Sequence, residues 1–150
     1  MSDNKVNPIP ENYQSVIPYL IVKGAPGLME FLKTVAGAEE LHKMEMPDGT
    51  IAHAEVKIGD STLMISEASD MYPANPAMYY IYVEDVDATY KKALDAGAES
   101  VKEPTDQFYG DRSCLVKDGT GNSWGFATHV EDVSPEEMDK RAAEAMSQGQ

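Results

Sequence analysis

Two stretches of the chain place apolar residues at helical spacing, each directly after a run rich in β-branched and aromatic side chains. Across residues 22–41, Leu28, Phe31, Leu32 and Val35 fall at i, i+3, i+4 and i+7 and form one apolar stripe. Across residues 83–101, Val86, Tyr90, Ala93 and Leu94, at i, i+4, i+7 and i+8, form another. Asp85 is placed to cap the second helix, because its carboxylate can accept from a free N–H of the first turn. Both patterns run out at Gly-Ala-Glu, as Gly37-Ala38-Glu39 and Gly97-Ala98-Glu99. A glycine there can take the left-handed conformation that ends a helix.

Strand patterns flank both helices. Residues 15–22 and 78–84 precede them; 39–46, 50–58 and 62–66 follow the first; 98–102, 112–117 and 123–129 follow the second. Pro47-Asp48-Gly49, Gly59-Asp60 and Asp118-Gly119-Thr120-Gly121-Asn122 supply turns between them. Both halves therefore read β-α-β-β-β. Val22 and Val83 are 61 residues apart, as are Leu63 and Trp124, and Ile65 and Phe126. The pattern predicts one α+β domain over residues 1–150, with module one at about 14–68 and module two at about 78–130. The two tandem βαβββ modules are expected to form a curved mixed, mostly antiparallel sheet around a groove. Ser134 and Glu137 form a capping box with Pro135 at the first helical position, predicting a C-terminal helix at about 134–147. Its apolar face, Met138, Ala142, Ala145 and Met146, is thin.

One helix covers only one face of a module's sheet. Strand alternation says what lies on the other. In residues 50–58, Ala52, Ala54, Val56 and Ile58 are expected against the helices, with His53, Glu55 and Lys57 facing away. In 78–84, Tyr79, Ile81 and Val83 pack on the helix, leaving Met78, Tyr80 and Tyr82. In 123–129, Trp124 and Phe126 share one face; Ser123, Gly125, Ala127 and His129 share the other. The resulting mixture of polar, aromatic and thioether groups is that of a small-molecule pocket.

Charge narrows the partners. The chain carries 26 acidic against 12 basic residues, a net −14. That field repels phosphate backbones and anionic membranes and attracts a cationic ligand; it also keeps a protein in solution. No nucleic-acid or membrane partner is expected. No apolar run approaches the roughly 20 residues of a membrane helix. The polar residues 1–11 lack the apolar core of a signal peptide, and the single Cys114 cannot form an intrachain disulfide, so a cytoplasmic location is expected.

The duplicated module carries an ordered set of segments: Ile17-Pro18-Tyr19-Leu20-Ile21-Val22, His53-Ala54-Glu55, Phe108-Tyr109-Gly110-Asp111-Arg112, Asp118-Gly119-Thr120-Gly121-Asn122-Ser123-Trp124 and Thr128-His129-Val130-Glu131-Asp132-Val133. Together they resemble the glyoxalase/bleomycin-resistance/dioxygenase (vicinal oxygen chelate) superfamily, in its PhnB-like and YdeM-like bacterial branch, over about Ile9 to Met146. The chain departs from that family at Gly119-Thr120, usually Pro and an aromatic or acidic residue, and at Leu32, commonly aromatic. The resemblance implies metal ligands of the His, Gln or Glu type from the first and last strand of each module. Carried to this chain, those positions are Ile17, Met64, Met78 and Gly125, and their neighbours Val16, Pro18, Leu63, Ile65, Tyr79, Trp124 and Phe126 serve no better. No metal and no other cofactor is therefore expected. Family grooves are often completed by a partner chain and open sheet edges tend to be paired, so a homodimer is expected.

The residues expected to line the groove are Tyr19, His53, Glu55, Met64, Met78, Tyr80, Tyr82, Tyr109, Arg112 and His129. His53 and Glu55 are the catalytic candidates: two apart on one strand, they suit acid/base work, a cationic or hydroxylated ligand, or a hydrogen-bonded pair within the sheet. Arg112 suits a ligand carboxylate, or a pairing with Asp111 or another acid that shapes its loop. His42, His53 and His129 lack the tight spacing of a three-imidazole site. Trp124 reads as core, Cys114 as an inert strand thiol and Glu131-Asp132 as solvated. Two functions of different class follow: a metal-free protein that sequesters a small organic ligand, or a lyase or isomerase of the glyoxalase I type, metal-dependent or using His53 and Glu55. A structural dimer with a vestigial groove is the third.

Overall fold

The two periodicities condense into two units that each close their own core. The computed structural model describes residues 5–148, so the first four residues of the polar start lie outside the described residues. The chain divides into two compact units after Pro76. The first contains β1 (Tyr19–Val22), α1 (Ala25–Ala36), β2 (Glu39–Glu45), β3 (Ile51–Ile58) and β4 (Ser61–Glu67). The second contains β5 (Met78–Tyr82), α2 (Val86–Asp95), β6 (Glu99–Asp106), β7 (Asp111–Lys117), β8 (Ser123–His129) and α3 (Pro135–Ser147). The sheets run β1-β4-β3-β2 and β5-β8-β7-β6. In each, the first strand is parallel to the last and the other pairings are antiparallel. The fold is α+β, two βαβββ modules and a C-terminal helix.

In the first unit the expected stripe of α1 is the buried one. Leu28, Phe31, Leu32 and Val35 are buried together with Ala25 and Met29. They share the core with Ala54, Val56, Leu63 and Ile65 of β3 and β4. Each fully buried aliphatic side chain contributes about 1.5–3 kcal/mol. Glu67, at the end of β4, accepts from the N–H groups of Gly24 and Ala25 at 2.8 and 3.0 Å and so caps α1 from a distant strand. Gly37 ends the helix at φ 67°.

β3 departs from strict alternation. Ile51, not Ala52, is buried, and Ala52 is exposed. The cause is a bulge: Met44 pairs with His53 but Glu45 pairs with Ile51, leaving Ala52 without an opposite residue. The extra residue inverts the alternation before it, and from His53 onward the expected faces hold.

In the second unit Trp124 and Phe126 are fully buried with Cys114, Val116, Val86 and Ala93. Tyr79 stacks on Trp124 with ring centroids 4.9 Å apart. Asp85 caps α2 by accepting from Ala88 N–H at 3.2 Å. The buried stripe of α2 is Val86, Thr89 and Ala93; Leu94 is exposed and Tyr90 only half-buried, with its hydroxyl on Ser100. Val86, Thr89 and Ala93 follow one face of α2, and Leu94, next in sequence to Ala93, is turned about 100° away from it round the helix. β6 runs on to Asp106 past Pro104, which an edge strand tolerates.

The turn before β8 is tied by side chains. Asp118 accepts from Thr120 N–H and hydroxyl at 2.7 and 2.6 Å and from the Trp124 indole N–H at 2.6 Å. Asn122, buried, accepts from Ala77 N–H at 2.8 Å. The Gly119-Thr120 departure thus keeps a closed hydrogen-bond set. Ser134 caps α3 as the capping box predicts, but α3 buries no residue. Arg141 anchors it, reaching the Phe108 carbonyl and both carboxylate oxygens of Glu131. Glu131 is therefore ion-paired, not merely solvated. Among the described residues no helix is long and apolar enough to cross a membrane.

Candidate functional site

The sheet face turned away from each helix carries a carboxylate with an imidazole and tyrosines gathered around it. On the first sheet, Glu55, His53 and Tyr19 come from β3 and β1. Glu55 lies opposite His42 of β2 and Met64 of β4, and Tyr19 lies opposite Met64, so these side chains share one face. His53 Nε2 is 2.8 Å from Glu55 Oε2, and the Tyr19 hydroxyl is 3.2 Å from His53 Nδ1. The Tyr13 hydroxyl donates to the other oxygen of Glu55. These bonds, from Tyr13 first and His53 second, hold the Glu55 carboxyl below the ordinary range despite its burial. With Glu55 ionised, Nε2 of a neutral His53 carries the proton and Nδ1 accepts from Tyr19.

Tyr13 reaches Glu55 because the segment before β1 is strapped onto β4. The Gln14 amide both donates to and accepts from the Thr62 backbone, at 2.8 and 3.2 Å, and the Thr62 hydroxyl donates to the Asn12 carbonyl at 2.6 Å. Sequence reasoning missed Tyr13; it is 42 residues from Glu55 and no strand pattern includes it.

On the second sheet the hub is Asp111, the first residue of β7, with only 3% of its surface exposed. Its Oδ2 accepts from the hydroxyls of Tyr80 and Tyr82, each at 2.8 Å, and its Oδ1 lies 2.9 Å from His129 Nδ1. His129 Nε2 lies 2.8 Å from Asp132 Oδ1. Both imidazole nitrogens face carboxylates, which can only accept, so the surroundings favour the imidazolium form of His129. Hydrogen bonds to Asp111 and then Asp132 raise its pKa. Burial, the largest single influence on Asp111, raises its carboxyl, but His129, Tyr80 and Tyr82 together outweigh burial and lower it. Burial and then hydrogen bonds to Asp111 and Tyr109 push the Tyr80 phenol up strongly. The rings of Tyr80 and Tyr82 meet edge to face at 5.4 Å. The Tyr80 ring lies over Gly125, where a Cβ would come within 2.9 Å of Tyr80 Cδ1. Glycine at 125 is therefore what lets the phenol lie flat against the sheet.

The structure sorts the expected residues. Tyr19, His53, Glu55 and Met64 come together on the first sheet. Tyr80, Tyr82, Tyr109 and His129 come together on the second, with Met78 beside Tyr80 above Gly125. Arg112 stands apart: it holds Asp87 of α2 through two nitrogens at 2.9 Å each and Asp106 at 3.3 Å, so it braces helix to strand by pairing with acids other than Asp111. His42 and His53 are neighbours, ring centroids 6.5 Å apart, while His129 belongs to the second unit. Among the described residues no group of three or more His, Cys, Asp or Glu is arranged to hold a metal ion. Cys114 is buried, and burial raises its thiol. Asp132, although exposed, is the second partner of His129 and not simply solvated.

Known proteins share both the sequence and this architecture. An uncharacterized protein of Mycobacterium bovis is 33% identical over 143 residues, covering 88% of this chain and 92% of that protein. TioX from Micromonospora sp. ML1 has a TM-score of 0.67 at 25% identity, over 78% of this chain and 99% of TioX. The PhnB protein of Bacillus cereus, at 17% identity over 77% of this chain and 99% of its own, shares the fold with a TM-score of 0.63. The family model of the Glyoxalase/Bleomycin resistance protein/Dioxygenase superfamily matches residues 15–126, which span both βαβββ modules and all but the end of β8, and this chain belongs to that superfamily.

Proposed function

We propose that this protein binds a small organic, hydrogen-bond-donating cation on the tyrosine-bearing faces of its sheets, without the hard-metal ligands that its superfamily otherwise uses. Members of the superfamily act on small organic molecules; one neighbour of the same fold is the fosfomycin resistance protein FosX of Mesorhizobium loti. The observation that carries the reading is where the phenol protons go. Tyr13 donates to Glu55, Tyr19 to His53, and Tyr80 and Tyr82 to Asp111. Each hydroxyl has spent its one proton inward, so it offers a ligand only oxygen lone pairs and a ring face. Such groups favour ammonium or guanidinium N–H donors and disfavour carboxylates. The net charge of −14 acts in the same direction.

A thermal-shift series tests this with benzylamine, benzyltrimethylammonium and benzoate at equal ionic strength. Benzylamine should raise the melting temperature in a saturable way, benzyltrimethylammonium, which has no N–H to donate, should do so less, and benzoate should not; benzoate equalling benzylamine would refute it.

The metal-free reading is supported by the side chains at the family's ligand positions. Ile17, Met64, Met78 and Gly125 offer two thioethers and no imidazole or carboxylate. Elemental analysis of tag-free protein should find far less than one Zn, Ni or Fe per chain; a stoichiometric, chelator-resistant metal contradicts it. We further read the chain as a cytoplasmic homodimer with no nucleic-acid or membrane partner. β1 and β5 are edge strands of their sheets, and such edges are normally paired or covered. Light scattering at micromolar concentration should return the dimer mass, and a monomer mass would overturn the assignment.

The second reading, a lyase or isomerase with His53 and Glu55 as acid and base, is favoured by the Tyr19–His53–Glu55 chain.

A further inference from the structure

We propose that Tyr19 is a nucleophile toward activated esters, with His53 as the base that takes its proton and Glu55 positioning the imidazole, so that the first sheet carries an acyl-transfer site. The order of groups is nucleophile, base and orienting acid, each within hydrogen-bond reach of the next. Tyr19 Oη stands 3.2 Å from His53 Nδ1, and His53 Nε2 stands 2.8 Å from Glu55 Oε2. Glu55 is itself fixed by Tyr13 and is 9% exposed, whereas Tyr19 is 49% exposed, so the buried end is rigid and the reacting end is open. Strand register sets the geometry, since Tyr19 and Glu55 both lie opposite Met64. The titratable groups around His53 are Tyr19 on β1, His42 on β2 and Glu55 on its own strand, with Tyr13 behind Glu55.

The duplicated fold provides a control. Tyr80 holds in the second sheet the place of Tyr19 in the first: it lies opposite Gly125 as Tyr19 lies opposite Met64, 61 residues earlier in each case. Tyr80, however, donates directly to a carboxylate, with no neutral imidazole to take its proton. The two phenols share a position and differ in their base.

In the step proposed, Tyr19 Oη bonds to the acyl carbon while its proton passes to His53 Nδ1. The bond from the acyl carbon to the aryloxy oxygen then breaks, and the aryloxide leaves. His53 gives up that proton to the departing aryloxide or to solvent. Water then attacks the acyl carbon of the acyl-tyrosine while His53 accepts its proton; the bond from the acyl carbon to Tyr19 Oη breaks, the carboxylic acid is released, and His53 returns the proton to Tyr19 Oη. Nothing is oxidised or reduced. The inference is independent of the cation-binding reading: it concerns a covalent adduct, and its failure would leave ligand binding untouched.

p-Nitrophenyl acetate and the full chain provide the test. Release of p-nitrophenolate is followed by absorbance, and peptide mass spectrometry locates the acetyl group. The acetyl group should appear on Tyr19 at least about tenfold faster than on Tyr80 or on the exposed Tyr72. His53→Gln should slow it about a hundredfold, as loss of a general base does. Glu55→Gln should also slow it. The base should set the pH–rate profile of the wild type, and His53→Gln should change it to the steady rise with hydroxide of an unassisted phenol. That change of profile separates a base from a structural prop. Tyr19 labelled no faster than Tyr72, or a rate and pH profile unchanged in His53→Gln, would overturn the proposal. If a variant loses its fold by circular dichroism, the ratio of Tyr19 to Tyr72 labelling in the wild type still decides.

Discussion

Replacing Ala54 by Asp should destabilise the protein by several kcal/mol, on the order of 3–5, while His53→Ala one residue away should leave the fold nearly unchanged. Ala54 has no exposed surface and sits on the helix side of β3, where Ile65 is its cross-strand partner. A carboxylate there would be surrounded by the apolar residues of α1 and β4, with no donor to receive it. Burying an unpaired charge is among the few single changes with effects that large. His53 lies on the opposite face and makes no core contact; its loss deprives Glu55 of one hydrogen bond while Tyr13 keeps the other. Melting curves of the two variants check the assignment. A protein unfolded by His53→Ala but tolerant of Ala54→Asp would mean that the strand faces are reversed.

Asp111→Ala should cost about 3 kcal/mol, the lower end of what breaking a buried ion pair costs, because half of the His129 side chain is hydrated. The variant orphans the hydroxyls of Tyr80 and Tyr82 and leaves His129 with Asp132 alone. Its pH dependence is the sharper signature. Asp111 is lowered in the fold, so its contribution is full above about pH 4, where an unfolded aspartate ionises, and disappears as pH falls through the folded value. His129 is raised, so its contribution is full below about pH 6.5 and disappears as pH rises through the folded value. The wild type should therefore exceed Asp111→Ala most between about pH 4 and 6.5, with the gap narrowing on both sides. A gap independent of pH would mean that packing, not the ion pair, is what Asp111 supplies.

The helices and the duplication were legible because their signals are local. Leu28, Phe31, Leu32 and Val35 lie within eight residues, and Gly37 and Asp85 mark helix ends by chemistry that acts within one turn. The faces of β3 were legible from His53 onward and not before, because the bulge at Ala52 depends on how β2 pairs across it. Leu94 was misplaced because the buried face of α2, Val86, Thr89 and Ala93, is narrower than the apolar stripe read from the sequence. At the candidate site, alternation found Tyr80, Tyr82 and His53 but not what they hold. Asp111 collects partners 31, 29 and 18 residues distant, and Glu55 collects one 42 residues distant. Such convergence is a property of register and strand order, which one strand's pattern does not contain. Arg112, adjacent to Asp111, turns to α2 because successive strand residues point to opposite faces.

The central claim, that the tyrosine-bearing sheet faces bind donor-rich cations, is tested most directly by heteronuclear NMR titration of the labelled protein with benzylamine, using benzoate as the matched anion. Saturable shifts should concentrate on Tyr19, His53 and Met64 of the first sheet and on Met78, Tyr80, Tyr82 and His129 of the second, and benzoate should leave those resonances in place. Shifts confined to α1, α2 or α3, or the same shifts with benzoate, would contradict it.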